Sequence, residues 1–213
     1  MTTKKIFWQD PYLTELETNV LTVNGNQITL KETIFYAFSG GQESDHGTIG
    51  GHPVLAATKD DKELFYTLAE EHGLKAGDVV KIVIDWERRY KLMRLHFAAE
   101  IVLELVCQRF PDILKVGAHI AQDKARIDFT WNQTISPFIP LLQQETQAII
   151  DSNQEVMSAF SDEKNERRYW KINAFSQVPC GGTHIKYTGE IGLVRLKKVN
   201  LGKGKERIEI YVS

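Results

Sequence analysis

Long apolar runs are missing from this chain. Nothing approaches the roughly 18 consecutive apolar residues of a membrane-spanning helix. The opening residues, MTTKKIFWQDPYLTE, have neither the apolar centre nor the small-residue cleavage site of a secretory leader. Cysteine is scarce: Cys107 and Cys180 are the only two. That is too few for a disulfide framework, so a reducing, cytoplasmic setting is expected. Positive charge is not in excess either. A formal net charge of −2 over 213 residues excludes a surface coated in cations for bulk nucleic-acid binding, while leaving room for a local basic patch. Internal repeats, low-complexity tracts and long linkers are absent. What remains is an ordinary globular composition, 42% hydrophobic, with length for one large domain or two small ones.

The first 85 residues read as β-rich. NVLTVNGNQITLKETIFYAF sets β-branched and aromatic residues around Asn24-Gly25, a hairpin signal. SGGQESDHGTIGG is a loop whose glycines free the backbone to turn sharply or to approach something closely. Two short strands flank Lys59-Asp60-Asp61, and another covers Val79 to Ile84. Short strands at close intervals predict a small β-barrel. At Asp85, a plausible N-cap, the period changes. Leu92, Leu95, Ala99, Val102, Leu103 and Val106 then recur at helical spacing, and Pro111 follows the end. A strand pair about Gln122-Asp123-Lys124, a second helix with its prolines confined to its start, and further strands complete the chain. The expected class is α+β: a β-barrel domain over 1–87, then an α+β core over 88–213 with a long helix packed on an antiparallel sheet.

Chemistry-bearing residues collect at two places. PCGGTH puts Cys180 four residues before His184 on a turn whose glycines permit the tight geometry of metal ligation. HFAAE puts His96 and Glu100 four apart on the first helix, where they share a face at the edge of the apolar stripe. A His and a Glu from a helix with a Cys and a His from a turn make a plausible zinc set. His46, His52, His72 and His119 have no such company and read as surface or turn residues; Cys107, near the helix end, reads as core. Arg195, Lys197, Lys198, Lys203, Lys205 and Arg207 cluster near the C-terminus.

Several pieces, in order, resemble the AlaX family of alanyl-tRNA editing proteins, which is similar to the editing domain of alanyl-tRNA synthetase. They are ETIFYAFSGGQESDHGTI, RLHFAAEIV, VGAHIAQDKARIDF, PCGGTH with TGEIGLVRLKK, and GKGKERIEI. They cover nearly the whole chain and suit the medium-length form. The family pattern is His-x-x-x-His on the helix and Cys-x-x-x-His on the turn, usually around zinc. His96, Cys180 and His184 match it, and Glu100 stands where the second helix histidine is usual.

The resemblance implies a zinc-dependent deacylase that hydrolyses mischarged seryl-tRNA(Ala), with glycyl-tRNA(Ala) as a second candidate. Its partner would be the acceptor end of tRNA(Ala), and His96, Glu100 and Cys180 would be its catalytic residues. If Glu100 lies outside the ligand set, it is a candidate general base and leaves a coordination position open. If it ligates, all four residues close the site. A metal-free site acting through hydrogen bonds, as the related threonyl-tRNA synthetase editing domain suggests, is a third arrangement. The loop from Ser39 through Gly40, Gly41 and Gln42 resembles the motif beside the substrate. Thr33 matches a threonine that helps recognise the seryl hydroxyl. Lys203 and Lys205 lead the candidate phosphate contacts, with Arg207, Lys197 and Lys198 beside them. Two other functions fit the same residues. One is a tRNA- or protein-binding module that has lost catalysis; the other is a metal-dependent hydrolase of a different ester.

Overall fold

A computed structural model describes residues 2–202 and 204–213. It is an α+β protein with two α-helices, and it divides into two compact units: Met1–Ser39 with Glu43–Tyr90, and Gly40–Gln42 with Lys91–Ser213. Among the described residues, no helix is long and apolar enough to cross a membrane.

The first unit holds β1 (Lys4–Lys5), β2 (Glu15–Asn24), β3 (Gln27–Leu30), β4 (Glu32–Thr33), β5 (Gly47–Ile49), β6 (His52–Pro53), β7 (Ala56–Asp60), β8 (Glu63–Thr67) and β9 (Val79–Ile84). Seven of these form a curled antiparallel sheet in the order β6-β5-β9-β2-β3-β8-β7, and β1 pairs with β4 in parallel. The alternation that predicts strands also decides their faces. In β8, Leu64 and Tyr66 point inward, and in β9 Val80, Ile82 and Ile84 do. They meet Ile28, Leu30, Phe35 and Ile49 in one apolar core. The hairpin signal lies one residue from its expected place. Asn24 pairs with Gln27, so the loop is Gly25-Asn26, with Gly25 at φ +58°. Asp45 of the glycine-rich loop and Arg89 form a fully buried ion pair. Its remaining hydrogen bonds go to the Ile34 and Pro11 carbonyls and the Tyr36 N–H, so each nitrogen of the guanidinium and each oxygen of the carboxylate has a partner.

Helix α1 spans Trp86–Arg109, and Asp85 caps it by accepting the Arg88 N–H at 3.1 Å. From Leu92 to Val102 it is buried around most of its circumference, because Met93, Phe97, Ala98 and Ile101 join the expected stripe. His96 is therefore interior, 4% exposed, rather than at a rim. Cys107 corrects the reading in the other direction. It sits in the last turn of α1, where only Val106 and then Phe110 turn inward, and it is exposed.

The second unit adds β10 (Leu114–Ile120), β11 (Ala125–Thr130), α2 (Ile139–Asp151), β12 (Met157–Asp162), β13 (Arg167–Ile172), β14 (Ser176–Pro179), β15 (Val194–Asn200) and β16 (Lys205–Val212). The strands make two antiparallel sheets, β10-β11-β16-β15 and β12-β13-β14. Helix α2 covers the β15 edge. Gln143 and Gln147 accept the Leu196 and Val194 N–H groups, each at 2.9 Å, and so satisfy backbone donors that have no strand partner on that side. Helix α1 meets the smaller sheet through Phe97, edge-on to Trp170 of β13 at 5.2 Å.

Candidate functional site

All four residues read as metal or catalytic candidates meet inside the second unit. Cys180 Sγ lies 3.5 Å from His96 Nε2 and 3.3 Å from His184 Nε2. Glu100 Oε1 lies 3.5 Å from His96 Nε2 and 3.9 Å from Cys180 Sγ. One donor atom from each of His96, Cys180 and His184 falls within 4.8 Å of the other two, a group able to hold a metal ion. Zinc bonds of about 2.0–2.3 Å at a tetrahedral angle separate neighbouring ligand atoms by about 3.3–3.7 Å. The two Cys–His distances fall in that range, so this donor set fits the ion.

Local structure explains the convergence. His96 and Glu100 share a face of α1. Cys180 follows β14, and its N–H is held by the Arg168 carbonyl at 3.0 Å. The turn can approach the helix because residue 182 is glycine: a Cβ there would lie 2.0 Å from His96 Cε1. Gln42 fixes the turn from the other side. Its Nε2 donates to Thr183 Oγ1 at 2.8 Å, and its Oε1 accepts the Thr183 N–H at 3.2 Å. Gly41 allows this close approach; a Cβ there would stand 2.6 Å from the Ala118 carbonyl oxygen, and its own carbonyl accepts the Ile120 N–H.

Three supporting residues carry no local sequence signal. Ser158 Oγ lies 2.9 Å from His184 Nδ1, which leaves His184 Nε2 facing Cys180. Trp170 Nε1–H donates to Glu100 Oε2 at 2.7 Å. Phe97 packs edge-on against His184 at 5.5 Å.

The protein groups alone form a charged set. Burial pushes the Cys180 thiol up, but His96 and His184 outweigh it and bring its pKa down to about 6. Burial disfavours the His96 cation, yet the neighbouring Cys180 and Glu100 raise its pKa to about 10. Burial works against the Glu100 carboxylate, yet His96 and the Trp170 N–H hold its pKa at about 2. His96 Nδ1 is buried and makes no hydrogen bond. His96, Cys180 and His184 are thus a group that could hold a metal ion, with the Glu100 carboxylate fixed beside them.

The remaining candidates lie elsewhere. Thr33 is wholly buried in the first unit; its hydroxyl meets Tyr66 Oη at 2.8 Å and accepts the Phe35 N–H at 3.0 Å. Ser39 belongs to that unit, and its carbonyl accepts the Tyr36 hydroxyl at 3.2 Å. Gly40 is exposed, at φ +61°. Two of the basic strand residues face acids. Arg207 binds Asp128 at 2.5 Å and Lys198 reaches Glu206 at 3.7 Å, while Lys197 and Lys205 are exposed. Lys203 lies outside the described residues. His72, read as a surface or turn residue, is buried at a turn closed by its own N–H on the Ala69 carbonyl: Gly25 O lies 3.2 Å from its Nε2, and the Leu74 N–H donates to its Nδ1.

Comparison with known proteins gives this arrangement a context. A family model described as the threonyl and alanyl tRNA synthetase second additional domain matches residues 168–209, the segment carrying Trp170, Cys180 and His184. The alanyl-tRNA editing protein AlaX-M of Pyrococcus horikoshii is 34% identical over 215 residues, covering 99% of this chain and 98% of that protein. AlaX-M of Methanosarcina mazei is 29% identical over 244 residues, covering 99% and 96%. The alanine–tRNA ligase of Methanococcus maripaludis is 31% identical over 228 residues, 97% of this chain but 26% of that enzyme. On similarity running end to end, with the His96, Cys180 and His184 cluster at its centre, this chain belongs to the AlaX-M family of alanyl-tRNA editing proteins.

Proposed function

We propose that this protein is a trans-editing hydrolase that deacylates seryl-tRNA(Ala), with glycyl-tRNA(Ala) as a second substrate, at the acceptor end of the tRNA. The observation that carries this reading is the full-length relation to AlaX-M combined with a buried cluster of His96, Cys180, His184 and Glu100. The need for such an activity is physical. A pocket sized for alanine rejects neither the smaller glycine nor serine, which adds one hydroxyl, by a large factor, so a second sieve is required.

His96, Cys180 and His184 would hold zinc, which when bound supplies a Lewis acid and lowers the pKa of water. Glu100 takes a proton from the attacking water, whose oxygen bonds to the ester carbonyl carbon. The carbonyl–ribose oxygen bond then breaks, and the ribose oxygen leaves as a hydroxyl with the proton that Glu100 took from the water. Ser158 and Gln42 keep His184 and the Cys180 turn in place while this happens. Thr33 is the proposed reader of the serine hydroxyl. The backbone of Ser39, Gly40 and Gly41 is proposed to lie beside the aminoacyl ribose. Lys197, Lys198, Lys203, Lys205 and Arg207 are the proposed phosphate contacts, with exposed Lys197 and Lys205 foremost.

The test is deacylation by purified protein of seryl-tRNA(Ala), glycyl-tRNA(Ala) and alanyl-tRNA(Ala), with a small activated ester as a fourth substrate. Rapid loss of serine with alanine spared is the expected result. Tight tRNA binding without turnover would identify a binding module, and turnover of the small ester alone a hydrolase of another class.

A further inference from the structure

We propose that Trp170 is the residue that keeps Glu100 a free carboxylate beside the metal-binding trio rather than a member of it. The inference rests on reading His96, Cys180 and His184 as metal ligands. The trio closes on itself without Glu100. Glu100 is fixed from two directions: its backbone by α1, and its Oε2 by the indole N–H of Trp170 at 2.7 Å. Oε1 then stands 3.5 Å from His96 Nε2 and 3.9 Å from Cys180 Sγ, while the group whose donor atoms all lie within 4.8 Å of one another is the trio alone.

The indole cannot follow a moving carboxylate. Trp170 is wholly buried, with Phe97 edge-on at 5.2 Å and Phe175 stacked at 6.3 Å. In the central strand β13 it pairs with Ser158 on one side and Val178 on the other. The Ser158–Trp170 pair thus meets His184 with one hydrogen bond and Glu100 with another. One cross-strand pair aims both a ligand and the neighbouring carboxylate. With Oε2 held by the Trp170 N–H, Oε1 can approach the donor set only by pivoting about that bond. A carboxylate that moved bodily toward the trio would strand the buried N–H, a costly loss where water cannot replace the partner. Trp170 is accordingly a positioning residue: it leaves a coordination position open for water or substrate and leaves a base next to that position.

The probe is Co²⁺, loaded into the full chain as wild type, Glu100→Gln, Trp170→Phe and the double variant. The readouts are the visible absorption of the bound ion, its affinity by chelator competition, and deacylation of seryl-tRNA(Ala). Glu100→Gln is expected to keep the wild-type spectrum and affinity while losing about 10²–10⁴-fold in rate. Trp170→Phe frees the carboxylate to ligate, so affinity should rise by about 10–100-fold, the scale on which residues behind metal ligands act. Its spectrum should change and deacylation fall, and the double variant should return to the wild-type spectrum and affinity. A changed spectrum in Glu100→Gln makes Glu100 a ligand and overturns the proposal even if Trp170→Phe fails to fold. So does a Trp170→Phe protein with unchanged spectrum and affinity, or a shift that survives in the double variant. Wild-type protein that takes up no Co²⁺ overturns the metal reading itself, and the proposal with it.

Discussion

Adding a single methyl group at residue 182 should dismantle the site. A Cβ on Gly182 would lie 2.0 Å from His96 Cε1 and 2.6 Å from its Nδ1, whereas ordinary contacts begin near 3.4 Å. The ring must therefore retreat by about 1.4 Å or the turn must open by as much. Neither has room. His96 is 4% exposed among Phe97, His184 and Cys180, and the turn is pinned at Thr183 by both amide atoms of Gln42. Overpacking of this kind costs about 1–3 kcal/mol. A displacement of about 1 Å in a positioned group can cost about 10²-fold in rate. Gly181 is the matched control: a Cβ there meets nothing within 4 Å, and neither glycine sits in the left-handed region, so backbone strain enters neither variant. Gly182→Ala should lose bound metal after dialysis, measured by plasma mass spectrometry, and should lose at least about 10²-fold in deacylation. Gly181→Ala should keep both. A Gly182→Ala protein matching Gly181→Ala in metal content and rate would refute the packing argument.

Thr33→Val removes a hydroxyl that accepts the Phe35 N–H and, because Tyr66 already donates to Phe35 O, itself donates to Tyr66. It should cost about 1–3 kcal/mol in a thermal melt and lower the seryl-over-alanyl rate ratio by about 10–100-fold; an unchanged ratio would leave Thr33 a structural role only. Cys180 has its pKa depressed to about 6 from 9.0, so its thiolate contribution is complete above pH 9 and lost as pH falls through about 6. In chelator-treated protein, Cys180→Ser should therefore destabilise more at pH 8.5 than at pH 5.5 by urea melts, and a gap that does not change with pH would contradict the ion-pair reading. Lys197→Glu with Lys205→Glu should weaken tRNA binding and flatten its salt dependence, by about one unit of slope per lost phosphate contact; an unaltered slope would remove this face from the RNA path. Glu100→His takes the acceptor from the Trp170 N–H and should lower stability by about 1–3 kcal/mol, with Trp170→Phe recovering part of it; a Glu100→His protein as stable as the wild type would count against that hydrogen bond.

What was legible in the sequence was whatever the chain writes locally. The α+β class followed from period-2 strands and a period-3.6 helix, and Asp85 marked where one gave way to the other. His96, Glu100, Cys180 and His184 were readable because helix spacing and a glycine turn each deliver a pair. The rest depends on contacts across long sequence separations. Trp170 and Ser158 sit on strands with nothing in their own neighbourhood to mark them, and they reach the site only through the β12–β13 ladder. The rim placement of His96 failed because Met93, Phe97, Ala98 and Ile101, which are not among the six residues of that stripe, are buried too. Cys107 failed because a helix end turns some of its apolar-looking positions to solvent. The basic C-terminal run looked like free charge, but the register of β16 sets Arg207 opposite Asp128 on β11, and that of β15 brings Lys198 within reach of Glu206 on β16.

The glutamate at position 100 suits the group that faces it. A metal-bound imidazole uses one nitrogen as ligand and presents an N–H on the other, so it asks its buried neighbour for an acceptor. A carboxylate asks for donors. An indole offers a donor and no acceptor. Trp170 therefore answers Glu100 and could not answer a ligating histidine at the same point. A stranded N–H costs stability whether or not the protein is active, so the matched donor reports how the carboxylate is held. Here the donor is matched at 2.7 Å, in a side chain wedged between two aromatic rings, while Ser158, its cross-strand partner, still aims His184 at Cys180. The hydrogen bonds around Glu100 thus hold a carboxylate in a fixed place beside His96 and Cys180, the placement a general base at this point requires.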